Sequence, residues 1–229
     1  MHHTRGFDSI PYNHELLLSL QFREGTGTLT QDWAKPHHPM TCVGAPAWDT
    51  LDSGLGVLTF DGDDDEVQCP GANSADLDLT TENFTLAAWA YHDNMSTSRV
   101  IMNRGTLNTC GWEWYTANSN LALRTNQAAS REGASGMGFI ITDTWQFLVM
   151  VRTGLVGLAY LDGVAMFTSQ TDNGLLDPVA CGAHTFRVGN NPHDNYFEGD
   201  LWNTRIWPRV LSASEVQAIF EAERNLFGV

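Results

Sequence analysis

The chain has 229 residues, and its 12 Lys and Arg against 27 Asp and Glu give a formal net charge of −15. Hydrophobic residues make up 42% of the sequence, which is enough for a sizeable core and excludes a disordered acidic tail. We expect no nucleic-acid partner, because phosphate contacts need a basic surface. We also expect no membrane partner, because anionic lipids repel an acidic surface.

The chain reads as a succession of short strands and turns. Residues 1–13 lack hydrophobic periodicity and are predicted to form an N-terminal arm, and residues 14–229 are predicted to form one domain. Aromatic and β-branched residues between Gly, Asn and Asp clusters predict twelve strands. These strands are 16–22, 56–60, 66–69, 84–91, 99–103, 112–117, 120–125, 146–153, 157–161, 164–168, 185–188 and 201–208. Short strands without intervening helices indicate an all-β, antiparallel β-sandwich or jelly roll.

A hairpin and a helix complete the predicted elements. Asp162 and Gly163 form a two-residue loop that is typical of a type I′ turn. Near the C-terminus, Ser212 and Glu215 form a capping box, and Gly228 marks the stop of the helix that begins there. The apolar face of this helix consists of Val216, Ile219, Phe220, Leu226 and Phe227. We therefore predict one short C-terminal amphipathic helix that packs against the sandwich.

Targeting and thiol motifs are not found in the sequence as given. No apolar segment precedes Pro11, so we expect no signal peptide, and the longest apolar stretches are too short for a spanning helix. The cysteines are irregularly spaced without a CxxC motif, which argues against a zinc ribbon or a thioredoxin-like site. We predict that they are buried free thiols. They are Cys42, Cys69, Cys110 and Cys181.

Five fragments follow one another along the chain and carry a family resemblance. They are LLLSLQFREGTG (16–27) with Asp32, FDGDDDEV (60–67), FTLAAW (84–89), WQFLVMVR (145–152) followed by YLDG (160–163), and GDLWNTRIWPRVLS (199–212). Through them the chain resembles the laminin G-like, concanavalin A-like lectin and glucanase family from about residue 14 nearly to its end. The resemblance implies the jelly-roll fold. It leaves function open, because this fold carries lectins, glycanases, adhesion modules and structural subunits.

The resemblance to glycanases does not extend to a catalytic motif. Glycanases of this fold place two carboxylates at alternate positions of one strand, which brings them within about 5 Å of each other for retaining hydrolysis. Here Glu113 stands alone, while Glu198 and Asp200 flank Gly199, where we predict a tight turn. There is also no Gly-x-Ser-x-Gly motif for a serine nucleophile. We therefore predict that the protein is not an enzyme.

An acidic loop is the candidate metal site. Asp61, Asp64 and Asp65 concentrate carboxylate oxygens in one loop, and oxygen ligands suit calcium. In the resembling family this loop can join acidic residues of the last strand to hold a structural calcium ion. At that position this chain has Trp202 and Asn203, so Asn203 is the candidate amide ligand. The alternative is a solvated acidic turn without an ion.

Two aromatic and polar segments are candidate sugar sites. On the first, Trp112 and Trp114 share one strand face, with Tyr115, Asn118 and Asn120 nearby. Stacking on exposed rings would suit a sugar. The alternative is that both tryptophans belong to the core, because a sandwich of this size needs large buried side chains.

The second candidate segment is the polar loop 189–196, in which Asn191 and His193 are the proposed ligand contacts. Loops at the rim of a rigid scaffold often carry binding residues. His37 and His38, between two prolines, are expected to face opposite ways and to lie in a surface loop that contacts a partner.

Two functions are consistent with these features. The first is a structural protein of a bacteriophage virion, either capsid decoration or fibre, because family modules usually follow a signal peptide and this sequence shows none. It would be made in the host cytoplasm and exposed on the virion surface, bound to a capsid or other virion protein through the N-terminal arm. We expect it to be a homo-oligomer. The alternative is a carbohydrate-binding or adhesion module for a host-surface glycan.

Overall fold

The computed structural model describes residues 13–35, 37–80, 83–127, 131–136, 140–171 and 173–229, so the predicted N-terminal arm lies outside the described residues except for Asn13. The strands, numbered in chain order, are β1 (Leu18–Leu20), β2 (Leu29–Gln31), β3 (Pro39–Val43), β4 (Ala47–Thr50), β5 (Gly56–Asp61), β6 (Glu66–Cys69), β7 (Asn83–His92), β8 (Arg99–Thr106), β9 (Cys110–Ala117), β10 (Asn120–Asn126), β11 (Arg131–Gly136), β12 (Trp145–Thr153), β13 (Val156–Leu161), β14 (Val164–Ala165), β15 (Thr168–Gln170), β16 (Phe186–Val188) and β17 (Glu198–Trp207). The helix α1 spans Ala213–Glu223, and 3-10 turns span Gly71–Asn73, Ala75–Asp78 and Arg224–Leu226.

These strands form two antiparallel sheets that pack face to face. Sheet A has the order β14-β13-β12-β7-β17-β5-β4, with β1 also paired to β17. Sheet B has the order β15-β11-β10-β9-β8-β16-β6-β3-β2. The predicted all-β antiparallel sandwich with one C-terminal helix is confirmed.

The predicted strands correspond to observed strands, but four strands at or next to the sheet edges were missed. β2, β3, β4 and β11 have no counterpart in the prediction. β4 shows the reason, because it lies at the edge of sheet A and its residues are almost all exposed, which leaves no apolar alternation to detect. The predicted hairpin is present, since Asp162 and Gly163 both have positive φ between β13 and β14.

The main core lies between the sheets, and a second core lies beneath α1. The inner layer includes Leu86, Ala88 and Ala90 of β7, whereas the alternate residues Ala87 and Trp89 belong to the second cluster. α1 contributes Val216, Ile219 and Phe220 to that second cluster, so it covers the outer face of sheet A. No described helix is long and apolar enough to cross a membrane.

The helix begins as predicted and ends earlier than predicted. The Ser212 side chain accepts a hydrogen bond from the Glu215 amide, and the Glu215 carboxylate accepts one from the Ser212 amide, which completes the capping box. The α-helix ends at Glu223 and a 3-10 turn follows. The change in periodicity leaves Leu226 37% exposed, so its assignment to the apolar face was wrong.

Two of the four cysteines form a disulfide. Cys110 at the start of β9 is bonded to Cys181, which lies 71 residues later in the loop before β16. The prediction of free thiols is wrong for this pair, because the fold brings the 179–182 loop against β9, where the Gly111 amide donates to the Val179 carbonyl at 2.7 Å. Cys42 and Cys69 are buried free thiols.

Candidate functional site

The outer face of sheet B is the open face of the sandwich. α1, the one α-helix of the described residues, packs on sheet A. Strand alternation directs polar side chains out of sheet B, and the strand registers align them in one row across neighbouring strands. From β10 to β6 this row consists of Arg124, Glu113, Asn103, Arg187 and Gln68.

Trp112 and Trp114 do not reach this open face. Both are 0% exposed and belong to the core between the sheets, and the Trp112 indole donates to the Leu77 carbonyl at 2.9 Å. The prediction that they present rings to a ligand is wrong. Alternate positions of β9 point toward sheet A, where large rings fill the space between the layers.

Tyr115, in contrast, lies on the open face. It is half-buried, and the Arg124 guanidinium stands 4.6 Å from the centre of its ring. Beside it is a groove of about 340 Å³, a volume at the lower end of the range for ligand sites. The groove is lined by Tyr115, Ala117, Asn118, Asn120, Ala122, Leu123, Gly133, Ala134, Ser169, Gln170 and Thr171.

Small residues create the space in this groove. Ala122 pairs with Tyr115 across β9 and β10, and Gly133 pairs with Arg124 across β10 and β11. At these positions the outer face carries at most a methyl group, so the tyrosine ring stands as a wall above a low floor. Asn118, in the turn between β9 and β10, is exposed at the rim of the groove. Its amide can both donate and accept hydrogen bonds.

Glu113 lies next to Tyr115 on the same face of β9 and is 3% exposed. One carboxylate oxygen is ion-paired with Arg124. The other accepts hydrogen bonds from the side-chain amides of Asn191 at 2.6 Å and Asn103 at 3.3 Å. A buried charge is stable only when it is neutralised and hydrogen-bonded in this way.

The 189–196 loop is held over this face by Asn191. Asn191 is 1% exposed, and its side-chain oxygen accepts hydrogen bonds from the amides of His193 at 2.9 Å and Asn195 at 3.4 Å. Because its amide group is consumed by Glu113 and by its own loop, the prediction that Asn191 contacts a ligand is wrong. His193 is exposed on the loop and remains a candidate contact.

The three aspartates of the predicted metal site do lie together. Ligand oxygens of Asp61, Asp64 and Asp65 are all within 4.8 Å of one another. Burial and the negative charges of Asp61 and Asp64 raise the pKa of Asp65 to about 6, despite a hydrogen bond from the Asp61 amide that lowers it. The donor set of three carboxylates fits a calcium ion.

Asn203 is not part of that loop. It lies on β17 five residues after Glu198, which pairs with Asp61, so about 17 Å of strand separates it from the aspartates. Its side chain accepts from the Ser19 hydroxyl at 3.3 Å and donates to Glu223 of α1 at 3.4 Å. The prediction that Asn203 completes the metal site is wrong, because β17 carries it beneath the helix.

Glu198 and Asp200 lie in a strand and not in the predicted turn. β17 runs through Gly199, whose φ of 127° is a backbone conformation that glycine adopts readily and other residues rarely adopt. A Cβ at this position would also lie only 2.0 Å from the Tyr91 carbonyl oxygen. Glu198 is ion-paired with Arg99, whereas Asp200 accepts a hydrogen bond from the Thr59 hydroxyl. The Glu198 and Asp200 carboxylates therefore bind different partners.

A buried histidine between two carboxylates was missed in the sequence. His38 is 4% exposed and contacts Asp32 at 2.7 Å and Asp76 at 3.0 Å, one with each ring nitrogen. Burial lowers the pKa of His38, but the hydrogen bonds and charges of Asp32 and Asp76 outweigh burial and raise it. His37 is exposed and its Nδ1 contacts the Asp32 backbone carbonyl at 2.8 Å, so of the two histidines only His37 fits the predicted surface loop.

Another groove, of about 370 Å³, lies on the sheet A side between residues 51–53, Trp145 and residues 225–228. Its aromatic lining consists of Trp145, which is 9% exposed, and Phe227, which is half-buried, and the two rings stand 4.6 Å apart, centre to centre. Trp145 is therefore less accessible than the half-buried Tyr115.

Comparison with known proteins gives one family match and a set of similar structures. The laminin G-type family model, described as the concanavalin A-like lectin/glucanases superfamily, matches residues 61–217. No curated protein sequence matches the chain.

Structures of botulinum neurotoxins are among the similar structures. The binding domain of serotype D is 14% identical with a TM-score of 0.69, and 92% of this chain covers 52% of that one. A type C structure, described by the dependence of cell entry on two ganglioside molecules, is 13% identical with a TM-score of 0.67 and the same coverage. The binding domain of type DC in complex with rat synaptotagmin II has the same identity, TM-score and coverage as the type C structure. The chain spans about half the length of these structures, and the likeness is one of fold.

Proposed function

Because the chain belongs to the concanavalin A-like lectin/glucanases superfamily, we propose that it is a non-catalytic, lectin-like module that binds a carbohydrate on the outer face of sheet B. The groove beside Tyr115 is the observation that carries this proposal. An aromatic ring beside a low floor offers an apolar surface for the face of a sugar ring, and a rim amide offers hydrogen bonds to hydroxyl groups.

The carbohydrate class has support from the structural neighbours. The type C neurotoxin structure is described by its dependence on two ganglioside molecules, which are glycolipids. The synaptotagmin complex shows a protein partner in another neighbour. We give priority to a glycan, because the open face of this chain presents a concave groove with one aromatic wall.

The absence of catalysis is proposed from the state of the carboxylate on this face. Glu113 is the buried carboxylate next to the groove wall, and both of its oxygens are engaged by Arg124, Asn103 and Asn191. A general acid or base must reach the proton that it transfers. Glu113 is therefore suited to hold neighbouring side chains in place.

Binding of the purified protein to a printed array of oligosaccharides tests the proposal. We expect the wild-type chain to bind a subset of the glycans, and Tyr115→Ala to lose that signal. Tyr91→Ala is the matched control, because Tyr91 is a half-buried tyrosine on the outer face of sheet A. An array without binding, or a Tyr115→Ala signal equal to that of the wild type, contradicts the proposal.

Calcium binding at Asp61, Asp64 and Asp65 is proposed as a separate property of the acidic loop. The clustering of three carboxylates without a basic residue among them supports it. The ion would serve the loop structure and would lie outside the Tyr115 groove.

Placement on a bacteriophage virion stays a prediction. Its predicted capsid contact is the N-terminal arm, and residues 1–12 lie outside the described residues. The Cys110–Cys181 disulfide supports exposure to an oxidising environment, such as the outside of a cell. Deletion of residues 1–12 should abolish attachment to particles, and light scattering should show the predicted homo-oligomer.

A further inference from the structure

Glu113 connects the two parts of the open face that sequence patterns single out separately. Through Arg124 it reaches the groove wall, because the guanidinium that it binds stands over the Tyr115 ring. Through Asn191 it reaches the 189–196 loop, because the amide that it binds belongs to the residue that organises that loop. The buried Glu113 carboxylate thus contacts both Arg124, which packs on the groove wall, and Asn191, which organises the loop.

The contacts of Glu113 restrict its neighbours to one arrangement. A carboxylate that is 3% exposed needs its ion pair and its hydrogen bonds, since an unpaired buried charge is unstable. Arg124 is 16% exposed at the side chain, and its guanidinium stands over the Tyr115 ring while it pairs with Glu113. Asn191 uses its donor on Glu113, which leaves its oxygen to accept from His193 and Asn195.

We propose that Glu113 is the positioning residue of the ligand site, which fixes the Tyr115 wall and the 189–196 loop as one preformed surface. This inference rests on the proposed function. Preorganised side chains avoid the entropy cost of ordering on binding, so they raise affinity without touching the ligand. Tyr115 and Glu113 are two residues apart on one strand, about 7 Å, and the loop lies over Glu113.

Hydrogen exchange tests the positioning role without any ligand. In Glu113→Gln we expect the amides of His193 and Asn195 to exchange about tenfold faster, because Asn191 loses its charged acceptor. Glu223→Gln is the matched control, since Glu223 is a buried carboxylate paired with Arg205 on sheet A. Unchanged loop exchange in a folded Glu113→Gln protein, or an equal change in Glu223→Gln, overturns the proposal.

Binding to the printed oligosaccharides tests the consequence for the ligand. We expect Glu113→Gln to bind about tenfold more weakly than Glu223→Gln, and equal binding by the two variants overturns the proposal. Arg124→Lys keeps the positive charge but loses the guanidinium group that stands over the Tyr115 ring. It should weaken binding and leave loop exchange unchanged, which keeps the proposal testable when Glu113→Gln does not fold. If the wild type binds no glycan, the proposed function fails, and loop exchange still decides the positioning role.

Discussion

His92 shows how strongly one residue can depend on its surroundings. It is 0% exposed, its Nε2 contacts the Thr116 hydroxyl at 3.1 Å, and its Nδ1 is buried without a hydrogen-bond partner. The Phe197 ring lies 4.8 Å away, centre to centre. Burial, together with the positive charge of Arg99, lowers the pKa of His92 to about 3.

The lowered pKa of His92 predicts that the folded protein loses stability in acid. Below about pH 6.5 the unfolded chain takes up a proton that folded His92 refuses, so stability falls as pH drops from about 6.5 toward 3. The total effect is on the order of 5 kcal/mol. Thermal unfolding from pH 7 to pH 4 should show a shallower pH dependence for His92→Gln than for the wild type. Parallel curves would contradict the assignment of this effect to His92.

The acidic loop predicts a calcium-dependent gain in stability. An ion at ten times its dissociation constant contributes about 1.4 kcal/mol, which raises the melting temperature by roughly 3–6 °C. We expect this rise for the wild type at millimolar calcium and its loss in Asp64→Asn. Asp63→Asn removes the same charge from the same loop outside the three-residue cluster, so it should keep the rise. Equal responses of all three proteins would contradict a site at the cluster.

At single positions, sequence patterns predicted which side chains could take part in a site better than they predicted whether those side chains are exposed. Alternation on β9 is visible in the sequence, but it does not show which side is covered, so it cannot distinguish the buried Trp112 and Trp114 from Tyr115 on the open face. Clustering of Asp61, Asp64 and Asp65 follows from their closeness in sequence. The contacts of Asn191 and Asn203 depend on partners about 78 and 20 residues away and could not be predicted locally.

At the scale of elements, α1 is attached to sheet A by a buried ion pair as well as by apolar packing. Both oxygens of Glu223 accept hydrogen bonds from Arg205, at 2.8 and 2.9 Å, and one also accepts from the Trp89 indole at 2.8 Å. The helix start was readable from the capping box, because that motif lies within four residues. The attachment was not, because Arg205 and Trp89 come from two distant strands.

Removal of the Glu223 carboxylate should therefore loosen the helix. Glu223→Ala leaves Arg205 as an unpaired buried charge, and we expect the free energy of unfolding to fall by about 3–5 kcal/mol. Glu221→Ala is the control on the same helix, because the Glu221 side chain is 54% exposed and its contact with Arg224 is long at 3.7 Å. Urea denaturation measures both. A loss of less than about 1 kcal/mol for Glu223→Ala would show that apolar packing alone holds α1.

For the whole molecule, the disulfide is the one covalent link between distant parts of the described chain. Because it closes a segment of 71 residues, its reduction should lower the free energy of unfolding by roughly 4 kcal/mol. Alkylation of the unreduced, denatured protein should label the thiols of Cys42 and Cys69 only. Labelling of all four cysteines would contradict the bond and the oxidising environment that it supports.

The fold was predictable at this scale because ordered sequence fragments and strand patterns extend over most of the chain. The division of the sandwich into a covered and an open face was not, since it depends on where α1 docks. With the two faces distinguished, part of the formal charge of −15 can be assigned to particular surfaces. The acidic excess is partly concentrated in the Asp61–Asp65 loop, while the open face pairs its buried Glu113 with Arg124.

We propose above that a carbohydrate binds in the Tyr115 groove. Backbone amide chemical shifts, followed by NMR during titration with the oligosaccharide that gives the strongest array signal, test this claim most directly. Binding in this groove should give the largest shift changes at residues 115–122 and 169–171, with smaller changes in the 189–196 loop. Largest changes at residues 51–53 and 225–228, around the Trp145 groove, would contradict it.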